Sequence, residues 1–235
     1  MADNPVAVET NVHNIQNMSG VNYRLAHDPD PWVGFNAYTA QNVYKPVSER
    51  SKEVNGYLLD EALSDEHHSV YANKVNSKKT HIAVRGSAEI KDWTRNNTLI
   101  TVGLEDPYAP RWQKANTKLI ETKSKYGSKH SDMSLSGHSL AGAITVGMSA
   151  KHGIEGHAFS PGSTGVHAFK NAMCSVSNSR RCEMQKKHLH VYAVRQDPVS
   201  LGWIASNSTS AKRIVKINWH KGAHPHSMDN YLTEF

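Results

Sequence analysis

Apolar and polar positions alternate in several short runs along the chain, and between those runs apolar residues recur at helical spacing. Residues 68–74 and 80–87 are β-branched, aromatic or alternating, which predicts two strands joined by a hairpin turn. Residues 131–139 read as a short strand that runs into glycine, and residues 155–162 as a strand stopped by Pro161-Gly162. Residues 187–198 and 213–219 add two more strands. Residues 110–127 predict a helix. Proline opens it, Gly127 follows it, and Trp112, Ala115, Leu119 and Ile120 share one side. Residues 140–153 are small and apolar, and Gly153 suits the left-handed position that closes a helix. Residues 164–173 predict a third helix. From Ser131 the order is therefore strand, helix, strand, helix, strand, strand. That alternation predicts an α/β fold with a mostly parallel central sheet flanked by helices. In such sheets ligands bind at the carboxyl ends of the strands.

Residues 1–30 are polar and read as an arm, and residues 31–235 carry regular apolar content without a long linker, as expected of one domain. Hydrophobic residues make up 38% and charged residues 20%, which excludes collagen, a coiled coil and a fully disordered chain. Mean hydropathy is −0.59, and no apolar run reaches the ~20 residues that a bilayer span needs. The first residues lack a basic stretch followed by an apolar one. The expectation is an intracellular chain, or one whose signal has been removed. Cys174 and Cys182 are expected as free thiols, with a local disulfide across the loop between them left open. The net charge of +6 favours anionic partners, an acidic membrane face among them. The positive residues are scattered and no aromatic-interleaved basic stripe is present, so no nucleic acid is expected.

The stretch richest in chemistry is Gly137-His138-Ser139-Leu140-Ala141. A serine on a sharp strand-to-helix turn is lifted clear of the sheet, and the N–H of Leu140 then points at any anion forming beside it. A nucleophilic serine needs a base, and the base needs an orienting carboxylate. Asp197 ends the strand of residues 187–198, where Pro198 stops the ladder, and His226 follows the last strand. That order, serine then acid then histidine, is the one used by α/β-hydrolases. His224 is a rival base, and Asp229 and Asp132 are rival acids. Upstream, the strand ending in Arg85-Gly86-Ser87 places the N–H and hydroxyl of Ser87 as a second oxyanion donor, with Arg85 read as an ion-pair partner. Trp203 and Ile204, just past Asp197, are candidates to line an acyl pocket, with plain packing as the competing reading. Of the fifteen histidines, His188 and His190 would share one face of a strand, and His220, His224 and His226 form a second group. No carboxylate or cysteine lies at ligand spacing, so no metal and no cofactor are expected.

Five motifs together resemble the fungal-type class-three lipases: Val84-Arg85-Gly86-Ser87, Lys91-Asp92-Trp93, the Gly137–Ala143 turn, Phe159-Ser160-Pro161-Gly162 and Asp197-Pro198-Val199. The resemblance spans roughly residues 55–230. It implies an α/β-hydrolase fold, hydrolysis of carboxylic esters, often acylglycerols, and a lipid or small ester as substrate. It makes Ser139 the nucleophile, Asp197 the acid and His226 the base, the last because residues 226–231 resemble the family's closing segment. Ser87 and Leu140 become the oxyanion donors, and Trp93 a substrate contact. Val84, Ser160 and Ala141 depart from the family's aromatic, asparagine and glycine, and none of these removes a reacting group. The window that matches the family's lid, residues 93–104, has no single apolar helical face, so a short or absent lid is expected. A phospholipase on anionic membranes and a non-catalytic binding module of the same fold are the alternatives.

Overall fold

The computed structural model describes residues 23–24, 31–87, 109–163, 169, 173–174, 179–205, 210–218, 224 and 226–234. The polar arm up to residue 22, Trp93 with the 93–104 window, most of the helix expected over 164–173, and His220 lie outside the described residues. Ten strands are described. A small antiparallel pair joins β1 (Tyr23–Arg24) to β10 (Thr233–Glu234). The main sheet has eight strands in chain order: β2 (Glu53–Val54), β3 (Tyr57–Leu59), β4 (His68–Asn73), β5 (Thr80–Val84), β6 (Met133–His138), β7 (Glu155–Phe159), β8 (Leu189–Val194) and β9 (Arg213–Ile217). Strands β2 to β5 form an antiparallel meander, and β5 to β9 run parallel. The predicted hairpin is the β4–β5 pair, with His68 opposite Val84.

The helices are α1 (Pro31–Asn42), α2 (Pro110–Tyr126), α3 (Leu140–His152), α4 (Arg180–His188) and α5 (Leu201–Ile204). Helices α2 and α3 end on Gly127 and Gly153, both left-handed at φ 63° and 65°, as their sequences predict. Side chains alternate strictly across the parallel strands. Ile82, Leu135, Ala158 and Val191 face α2 and α3, where they pack with Trp112, Leu119, Ile144, Met148 and Val146. Phe159, Tyr192 and Val194 face α1, against Val33, Ala37 and Ala40. The face beneath α1 also holds a polar layer. Thr39 Oγ1 lies 2.8 Å from His81 Nε2 and 3.1 Å from Ser136 Oγ, and His81 Nδ1 lies 2.9 Å from Ser134 Oγ. Every member of this layer is buried and hydrogen-bonded, which is the condition for keeping polar groups in a core.

The structure corrects three expectations. Helix α1 was not predicted, because residues 33–40 are buried almost all round and so lack the one-sided periodicity of a surface helix. His188 ends α4 and does not belong to a strand, so His188 and His190 share no strand face. Cys174 and Cys182 are joined as a disulfide, with Cα atoms 5.1 Å apart and a sequence separation of 8.

Candidate active site

The site is built at the carboxyl ends of the parallel strands. Strand β6 ends at His138 and α3 begins at Leu140, so Ser139 alone makes the turn. Its φ of 61° lies in the left-handed region that non-glycine residues rarely enter. Backbone hydrogen bonds hold it there: Ser139 N–H donates to the Phe159 carbonyl at 3.1 Å, and Gly162 N–H donates to the Ser139 carbonyl at 3.0 Å. The turn needs small neighbours. A Cβ at Gly137 would stand 2.5 Å from the Ala141 carbonyl oxygen, and one at Gly142 would stand 2.8 Å from Pro161 Cα. Ala141, two residues past the serine, is fully buried.

The Ser139 side chain does not cap its own helix; its hydroxyl donates to His226 Nε2 at 2.8 Å. His226 Nδ1–H donates to Asp197 Oδ2 at 2.9 Å. Asp197, the residue just before a short 3-10 turn over Pro198–Ser200, is wholly buried. Val199 N–H at 2.9 Å and Ser200 Oγ–H at 2.6 Å also donate to its carboxylate. Burial pushes this carboxyl up. The bond from His226, the imidazole's charge and the bond from Ser200 outweigh it and hold the group below the usual carboxylate range. Asp197 is therefore ionised at neutral pH and fixes a proton on Nδ1 of His226, which leaves Nε2 free to accept.

The segment bearing His226 is held from two sides. His138 Nε2–H donates to the His226 carbonyl at 2.8 Å, and the two rings lie 4.7 Å apart. Asn230 Nδ2 donates to the carbonyls of His224 at 2.8 Å and Ser227 at 3.0 Å. The sequence signals neither contact, although both side chains stand within recognised motifs. The rival residues take other parts. His224 is exposed and its Nδ1 accepts the His226 N–H at 3.2 Å; Asp229 accepts from Ser227 Oγ at 2.7 Å; Asp132 accepts from the Lys129 N–H at the opposite end of β6.

Gly86 and Ser87 close the other side. A Cβ on Gly86 would lie 3.5 Å from Ser139 Cβ, so the loop after β5 runs directly beside the serine. Among the described residues the buried Ser87 hydroxyl has no hydrogen-bond partner. Leu140 is the first residue of the 13-residue helix α3, where backbone N–H groups lack partners within the helix. Arg85 pairs with Glu66 at 3.2 Å. Trp203 is only 2% exposed and packs with Leu189, Val191 and Ala193, and Ile204 rests on the same cluster; core packing accounts for Trp203 without an acyl chain.

A mostly parallel sheet carries its serine on a strand-to-helix turn, its acid at the end of a later strand and its histidine after the last one. The architecture is that of an α/β-hydrolase. No family model matches the chain, and no curated protein matches it. Among solved structures, this chain is similar to a triacylglycerol lipase from Penicillium expansum at 13% identity, over 79% of this chain and 78% of that one, with a TM-score of 0.45. It is also similar to the extracellular lipase LipA from Serratia marcescens at 15% identity, over 80% of this chain but 31% of that one, with a TM-score of 0.39. Both scores lie below 0.5, so neither likeness bears on the reaction.

Buried imidazoles give the folded chain an expected acid sensitivity. Burial, and then the charge of His226, pushes His138 down to about 3; burial, and then the charge of His157, does the same to His81. The unfolded chain takes up these protons from about pH 6.5 downward, whereas the folded chain stays neutral until near pH 3. Their contribution to stability is complete above pH 6.5 and falls steadily as pH drops toward 3. Thermal melts at constant ionic strength should show Tm falling from pH 7 to pH 4. A Tm that stays level across that range would contradict the buried, neutral imidazoles.

Proposed function

We propose that this α/β-hydrolase is a serine carboxylic-ester hydrolase acting on acylglycerols or related lipid esters. The observation that supports the reading is the continuous hydrogen-bond chain from Ser139 through His226 to Asp197, at 2.8 and 2.9 Å, with the serine on its strained turn. His226 takes the hydroxyl proton as Ser139 attacks the ester carbonyl. Asp197 holds the tautomer and stabilises the imidazolium. The N–H groups of Ser87 and Leu140 receive the oxyanion, and the Ser87 hydroxyl adds a third donor. His226 then protonates the leaving alcohol, and water repeats the sequence on the acyl-enzyme. Side chains and backbone N–H groups supply every step of this scheme. A second reading, a phospholipase at anionic bilayers, draws on the net charge of +6.

Hydrolysis of short p-nitrophenyl esters, a triacylglycerol emulsion and anionic phospholipid vesicles should be compared side by side. The expected order is acylglycerol above phospholipid, with measurable turnover of the soluble ester. Turnover of the soluble ester alone would remove the lipid from the proposal. Faster turnover of the vesicles would favour the phospholipase. No turnover of any ester by folded protein would leave a binding module.

A further inference from the structure

The amino ends of the same parallel strands carry a second cluster of chemistry-bearing side chains, unrelated to the serine. Glu155 and His157 lie on β7 and His190 lies on β8, directly opposite His157 in the parallel register. All three occupy the face covered by α1, with Phe159 and Tyr192 above them. One ligand atom from each lies within 4.8 Å of the other two. Glu155 Oε1 is 3.5 Å from His157 Nε2 and 3.4 Å from His190 Nε2. Two ligands on a tetrahedral zinc ion, with bonds near 2.05 Å, stand about 3.4 Å apart.

We propose that Glu155, His157 and His190 bind one divalent transition-metal ion of the zinc class, tying β7 to β8 at the end of the sheet remote from Ser139. Two imidazoles and one carboxylate are a donor set suited to such an ion. The rings of His157 and His190 stack 4.5 Å apart and within 10° of parallel, so both tilt, nitrogen edges together, for their in-plane lone pairs to converge on a single ion. His190 is 12% exposed at its side chain, and among the described residues neither of its ring nitrogens has a hydrogen-bond partner. On the far side of the other ring, Tyr192 Oη lies 3.4 Å from His157 Nδ1, the outer contact that orients a ligating histidine. Lys212 Nζ is 3.9 Å from Glu155 Oε1, on a half-exposed side chain. A cavity of about 280 Å³ is lined by Glu155 with Trp32, Lys79 and Asp132, and offers a path of entry to the carboxylate.

Full-length protein, stripped with a chelator, should be titrated with zinc chloride by calorimetry and with cobalt chloride by visible absorption. The expected result is one ion per chain with the absorption of tetrahedral cobalt, weakened about 100-fold or more in Glu155→Gln and in His190→Ala. Zinc at about 100 times its Kd should raise Tm by roughly 5–10 °C in the parent and not in the variants. Since the chain has fifteen histidines, a His224→Ala, His226→Ala double variant serves as control and should keep the site. Glu155 reaches the surface, so Glu155→Gln retains a folded chain even if His190→Ala does not. Absence of zinc binding by the parent would overturn the proposal. So would a Glu155→Gln protein that binds zinc as tightly as the parent, or a double variant that loses it.

Discussion

Ser139→Ala is expected to lower kcat for ester hydrolysis by about 10⁶-fold while leaving the melting temperature within a few degrees of the parent. The size follows from the role. Without the hydroxyl there is no acyl-enzyme, and only binding and the oxyanion donors remain to speed attack by water. The small stability change follows from the geometry. The Ser139 side chain makes its hydrogen bond outward to His226 and does not cap α3, so its removal takes little from the fold. The backbone strain at φ 61° is unchanged by alanine. Steady-state hydrolysis of a soluble ester, with differential scanning calorimetry on the same samples, checks both halves. A variant retaining a tenth of the parent's activity would remove Ser139 from the role proposed for it.

Asp197→Asn is expected to lower kcat by about 10⁴-fold at neutral pH. The asparagine keeps the shape, and its Oδ1 can still accept from Val199 N–H at 2.9 Å, but the position of Oδ2, which accepts from Ser200 Oγ–H at 2.6 Å and from His226, becomes an NH2 group that only donates. What it changes is the proton on His226. An amide N–H turned toward Nδ1 favours the tautomer with its proton on Nε2, the nitrogen that must accept from Ser139. The loss should fall on kcat with little change in KM, because Asp197 is wholly buried and bonded to His226 Nδ1, the ring nitrogen that does not bond to Ser139. Kinetics at pH 7 resolve the two parameters. A loss under tenfold would mean that Asp197 does not set the tautomer, and a loss confined to KM would place it in binding.

The elements that put these residues together were legible for definite reasons. Strands β4 to β8 show β-branched and alternating residues bounded by glycine, proline or polar turns, and α2 and α3 carry their closing glycines. Ser139 and Asp197 stand where a strand meets a turn, and such positions are visible in one dimension. Helix α1 was not, since a helix buried on nearly every side has no polar face to reveal its period. Helix α4 was missed for the opposite cause. It is almost wholly polar, burying only Cys182 and Gln185, and its last residue, His188, merges into the strand pattern that follows. The choice of His226 over His224 came from family resemblance, because two residues apart on a loop no periodicity separates them. The support that His138 gives to His226, across 88 residues, and the meeting of Glu155 and His157 with His190 depend on sheet register and loop return. Local pattern carries neither.

The central claim is that one hydroxyl, activated by one imidazole, is the nucleophile of this protein. A fluorophosphonate probe tests it directly, since it reacts with an activated serine and leaves other hydroxyls untouched. Incubation of folded protein with the probe, followed by digestion and peptide mass analysis, should give a single adduct on Ser139. The adduct should be absent in His226→Ala and after unfolding in denaturant. Folded protein that stays unlabelled at Ser139, or that is labelled equally well without His226, would contradict the account.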